Sequence, residues 1–104
     1  MDAQERESLN SLLETVVGAA YEVSNTLGAG FLEKLYERAL LNELTLRGIR
    51  AETQVSYPVS YKGHVVGDYV ADLLVDNRLI VELKCVDRFA NVHLAQCLSS
   101  LLSG

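Results

Sequence analysis

No run in this sequence approaches the 18 or more uncharged apolar residues that a membrane-spanning helix needs, and the N-terminus, MDAQERESLN, is charged and polar. Neither an anchor nor a signal peptide is therefore expected, and the default is a cytoplasmic protein. Cysteine is scarce. Cys85 and Cys97 have no second thiol or histidine at finger spacing, which argues against a structural zinc site and leaves two buried free thiols in a reducing compartment. No phosphate-binding glycine loop, nucleophile elbow or dinucleotide fingerprint is present; Gly28-Ala29-Gly30 lies between two helical patterns, the wrong setting for one. Repeats, low-complexity tracts and linkers are absent too.

Basic residues are outnumbered, nine against 14 acids, for a net charge of −5. That balance argues against nucleic-acid binding driven by a basic surface. Its distribution softens the argument: residues 1–37 hold seven acids and two bases, whereas residues 38–104 hold seven of each. The acidity belongs to the N-terminal helices, while the strand region is neutral, with Lys62, Arg78, Lys84 and Arg88 available to a site there.

What remains is a chain of 104 residues, 49% hydrophobic, enough for one core and one domain spanning 1–104. From Glu5 to Leu27 the residues Leu9, Leu12, Leu13, Val16, Val17, Ala20, Tyr21 and Leu27 recur at helical spacing. After the glycine break a second helix is predicted from Phe31 to Arg47, with Gly48 as its C-terminal cap. The period then changes to two. Val55–Tyr61, Val65–Val75 and Leu79–Val86 read as strands joined by turns at Lys62-Gly63-His64 and Asp76-Asn77, an antiparallel meander in which Pro58 marks an edge. A last helix is expected from Asn91, carrying Val92, Leu94, Ala95, Leu98, Leu101 and Leu102. The class is α+β, with helices on one face of a small sheet.

Three polar groups interrupt the strands: Asp72 on the second, Glu82 and Lys84 on the third. Residues two apart share a strand face, so Glu82 and Lys84 lie side by side. If Asp72 faces them, two carboxylates meet, repelling by about 4 kcal/mol at ~4 Å and an effective dielectric of about 20. Such a pair needs a shared proton, a cation or a metal ion. A hard divalent cation with a neighbouring lysine would suit phosphodiester hydrolysis. The plainer reading buries Leu79, Val81, Leu83 and Cys85 and leaves Glu82 and Lys84 as an exposed ion pair, stabilising by at most about 1 kcal/mol. Glu33 shares a helix face with Tyr36 and Glu37, but its place in a first turn is also explained by the helix dipole. Tyr36 reads as a core tyrosine with a satisfied hydroxyl, Gln96 as either a holder of lysine or water or a solvated residue, and His64 and His93 as surface or capping residues.

Gly30-x-x-Glu33-x-x-Tyr36, with Leu27-Gly28, Tyr61-Lys62-Gly63, Asp68-Tyr69, Ala71–Val75, Ile80–Lys84 and His93 with Ala95-Gln96, resembles the GxxExxY family from about Val17 to Leu98. That family is similar to the PD-(D/E)XK nucleases. The resemblance implies a restriction-endonuclease-like αβββα core and a nuclease acting on nucleic acid, DNA before RNA, with Mg2+ or Mn2+. It implies Asp72, Glu82 and the Leu83 carbonyl as metal ligands, Lys84 as the residue that positions the attacking water, and Glu33 and Gln96 as helix-borne additions to the site. Three departures accompany it: Ala71 stands in place of proline, Ser100 in place of a tyrosine, and the chain ends at Gly104 before a further strand that relatives carry. The missing strand would leave a sheet edge open, which a homodimer would cover. A catalytically inactive module acting in binding or assembly, and an enzyme acting on a smaller phosphate compound, are the alternatives.

Overall fold

In the computed structural model the described residues are 2–28, 30–85 and 90–96, the side chains of 84, 85 and 90–96 aside. Helix α1 spans Ala3–Leu27 and α2 spans Glu33–Leu46; four strands follow, β1 Ala51–Tyr61, β2 His64–Val75, β3 Leu79–Cys85 and β4 Ala90–Gln96. The α+β class, the two helices and the antiparallel meander agree with the sequence pattern.

Asp2 caps α1, its carboxylate accepting from the Glu5 N–H at 2.8 Å. The helix buries Leu12, Val16, Ala19 and Val23, spaced four, three and four apart, as one face of a 3.6-residue period requires. Val17 and Tyr21, expected on that face, are turned away from it and are exposed. Helix α2 starts at Glu33 rather than Phe31, after an extended Leu32 with no side-chain cap, and buries Tyr36, Glu37, Leu40 and Leu44. Its end at Gly48 follows the glycine-capped pattern: at a φ of 77° its N–H reaches the Thr45 carbonyl, while the Ile49 N–H reaches that of Leu44.

The sheet runs in the order β1-β2-β3-β4, antiparallel at every step. Strand β1 begins four residues earlier than the alternation suggested. On one face Leu73, Val75, Leu79, Val81 and Leu83 pack with the buried residues of both helices. On the other, Ala71, Leu74 and Ile80 form a smaller cluster flanked by Val55, Tyr57 and Tyr69. Ile80, expected to point outward, is therefore buried. The Asp76-Asn77 turn has φ of 53° and 56°, angles these two residue types tolerate.

One element is corrected. The helix expected from Asn91 is, over Ala90–Gln96, the strand β4, pairing Asn91 with Lys84, His93 with Glu82 and Gln96 with Leu79. A short apolar run cannot be assigned by periodicity alone, because Val92 and Leu94 alternate as readily as they fit a helix turn. Pairing with β3 satisfies main-chain groups that an open edge would leave exposed. The β3 edge is thus covered by this chain's own residues. Val86, Arg88, Cys97, Leu98, Ser100, Leu101 and Leu102 lie outside the described residues.

Candidate functional site

The site lies where β2 and β3 part. Their ladder pairs Val75 with Leu79, Leu74 with Ile80 and Leu73 with Val81. One residue further along, a side chain replaces the main chain as partner: Asp72 Oδ2 accepts the Leu83 N–H at 2.7 Å. Both main-chain groups of a strand residue point to the same side, so Leu83 turns its carbonyl toward β2 as well. Three residues before Asp72, the Tyr69 hydroxyl donates to Glu82 Oε1.

Two carboxylates and a phenol are thereby gathered from two strands. Asp72, Glu82 and Tyr69 are all half-buried. The Tyr69 hydroxyl is pushed up to about 12, first by burial, then by its hydrogen bond to Glu82 and the charges of Glu82 and Asp72, with a last contribution from Tyr57. Both carboxylates therefore act on the same hydroxyl, which stays protonated and keeps donating at neutral pH.

Of the other residues singled out from the sequence, Lys84 is placed by its backbone in β3, opposite Asn91. Gln96 is placed in β4 opposite Leu79, three positions from the Glu82–His93 pair, or about 10 Å along the strand. Glu33 is exposed in the first turn of α2. Among the described residues no three His, Cys, Asp or Glu side chains are grouped to hold a metal ion, so Glu33 does not join Asp72 and Glu82. The oxygen chemistry of the pair does fit a hard cation. Each carboxylate gives one oxygen to a protein donor and has a second, and a magnesium-type ion that keeps most of its waters needs one or two carboxylates.

Tyr36 lies apart from this chemistry. Its hydroxyl donates to the Gly28 carbonyl and accepts the Phe31 N–H at 3.4 Å, while its ring meets Phe31 edge-on at 6.3 Å. The side chain braces the turn between the helices, the satisfied core tyrosine that its apolar setting implies.

Glu37 went without a role in the sequence pattern. It is 4% exposed, the one buried charged residue among those described. Lys34 Nζ lies 3.3 Å from one carboxylate oxygen, and Gln54 Nε2 donates to the other at 3.0 Å. Gln54 holds that position with a φ of 53° inside β1, which a residue with a Cβ rarely adopts. The signal for Glu37 was its spacing: it falls three before Leu40 and seven before Leu44, on the apolar stripe of α2.

The profile of the PD-(D/E)XK nuclease superfamily matches residues 10–102. No curated protein and no solved structure matches the chain.

Proposed function

We propose that this chain, which belongs to the PD-(D/E)XK nuclease superfamily, hydrolyses phosphodiester bonds with a divalent ion, Mg2+ or Mn2+, held between Asp72 and Glu82, and that its substrate is DNA rather than RNA. The observation that carries the reading is the side-chain bond of Asp72 to the Leu83 N–H. It sets one carboxylate against the main chain beside Glu82 at the point where the strands separate.

The remaining oxygens of Asp72 and Glu82, with the Leu83 carbonyl, would hold the ion. When bound, the ion polarises the phosphate and lowers the pKa of a water. Lys84, two residues after Glu82, orients the attacking water and offsets charge that develops on the phosphate. Glu33, at the start of α2, and Gln96, on β4, are proposed as auxiliary groups that meet the substrate or its waters. Among the described residues no helix is long and apolar enough to cross a membrane.

The test is cleavage of single- and double-stranded DNA, and of RNA, under magnesium or manganese titration. Glu82→Ala and Lys84→Ala are each expected to lower the rate by about 100-fold or more, the scale of losing one charge-stabilising group. Cleavage that continues unchanged in both variants would overturn the assignment.

A second reading is an inactive module that keeps the fold for binding or assembly. Val65, Val66 and Val70 on β2 favour it, at 68%, 64% and 47% exposure, because exposed apolar residues along one strand offer a contact surface. Its signature is a concentration-dependent homodimer together with no divalent binding.

A further inference from the structure

The geometry points to Tyr69 as a positioning residue for the carboxylate pair: its hydroxyl fixes Glu82 through Oε1 and turns Oε2 toward the ion shared with Asp72. The inference rests on the metal reading above and adds a residue to it.

The need for such a group follows from where the ladder stops. Glu82 lies past the last β2–β3 pair, Leu73 with Val81, and its main chain pairs with His93 of β4, so no ladder bond to β2 sets where its carboxylate sits. A glutamate side chain also has several freely rotating bonds, and freezing them is unfavourable. Asp72 is anchored by the Leu83 N–H; Glu82 is anchored by the phenol. Each carboxylate is thus held by one protein donor through one oxygen.

Tyr69 is suited to the task because its ring is held as well. It lies opposite Tyr57 across the β1–β2 pair and packs on the small cluster of Ala71, Leu74 and Ile80. A ring set on a sheet face has few torsions left to adjust, so its hydroxyl is presented at one place. The donated proton also lessens the repulsion between the two carboxylates, so that the pair is formed before any ion arrives. Partners that hold metal-binding side chains in this way commonly contribute ten- to a hundred-fold in affinity.

The experiment compares wild type, Tyr69→Phe and Glu82→Ala by calorimetric titration with Mn2+ and with Mg2+, together with metal-free thermal melting. Tyr69→Phe is expected to bind either ion at least ~10-fold more weakly. Its metal-free melting temperature is expected to stay within about 4 °C of wild type, corresponding to a stability change below about 1 kcal/mol in a domain of this size. A purely structural tyrosine would give the reverse, lower melting with unchanged affinity, and that result overturns the inference. So does tighter binding in Tyr69→Phe, which would make the hydroxyl a competitor for Glu82. Equal affinity in wild type and Tyr69→Phe, with binding lost in Glu82→Ala, removes the role of Tyr69 and leaves the metal site standing. If wild type takes up neither ion, the metal reading and this inference fall together.

Discussion

The Leu83 N–H donates to the Asp72 carboxylate at 2.7 Å, so a side chain closes the β2–β3 pair at the position where main-chain pairing ends. This contact gives Asp72 two duties, one in the fold and one in the proposed chemistry, and the two separate by substitution.

Asp72→Ala removes the acceptor and leaves the N–H of Leu83, a residue 3% exposed, without its partner, at a cost of about 1–3 kcal/mol. Asp72→Asn keeps a carbonyl oxygen in place and should lose less than about 1 kcal/mol, the worth of an ordinary neutral hydrogen bond. Both variants should lose divalent binding. Urea denaturation beside calorimetry separates the effects; equal destabilisation by Ala and Asn would show that the Leu83 N–H contact depends on the carboxylate charge and not on an oxygen acceptor alone.

Tyr36→Phe deletes the bond to Gly28 and the acceptor for Phe31 while keeping the ring in the core. The expected loss is about 1 kcal/mol, seen as a fall of roughly 4–8 °C in Tm for a domain of this size. Cleavage per folded molecule should be unaffected, since Tyr36 touches neither carboxylate of the site. A large drop in rate at wild-type stability would place the residue in the chemistry instead.

Glu37 gives a graded series. Glu37→Ala removes the charged acceptor of Gln54 and should lower stability by about 1.5–3 kcal/mol, the worth of a hydrogen bond to a charged group. Glu37→Gln retains an oxygen for Gln54 and loses only the attraction to Lys34, a side chain 52% exposed, where an ion pair is worth about 1 kcal/mol or less. Denaturation midpoints should rank wild type, then Gln, then Ala; Gln falling as far as Ala would mean that the charge, not the hydrogen bond, holds the contact.

The alkaline limb of stability should carry the signature of Tyr69. Its hydroxyl is raised from the ordinary 10.0 to about 12 in the folded protein, so the folded state holds the proton more tightly than the unfolded one. The associated stability is complete below about pH 10 and is lost as pH rises toward 12, because phenolate forms beside Glu82 and Asp72. A late step belonging to Tyr69 should appear in a phenolate absorbance titration. Tyr69→Phe should lack that step and lose less stability over the same range of pH.

Local pattern alone was enough for both helices and the first three strands, because 3.6- and two-residue periods are read from neighbours in sequence. It was also enough to raise the pairing of Asp72 with Glu82 as a question, since carboxylates on adjacent strands of a tight hairpin meet when they share a face. Ala90–Gln96 was misread as helix because its state is decided by a partner: β3 offers an edge, and six or seven residues hold too few periods to choose alone. The same limit hid Glu37, whose burial depends on Lys34 and, 17 residues along the chain, on Gln54.

The sequence by itself determined the types of both helices and the first three strands, and the residue kinds gathered at the hairpin, all properties of composition and short-range spacing. Only the tertiary structure decided what each charge leans on. Asp72 rests on the Leu83 N–H and Glu82 on the Tyr69 hydroxyl, contacts that exist because the strands diverge there, and no pattern along one strand reports how far its neighbour has moved away.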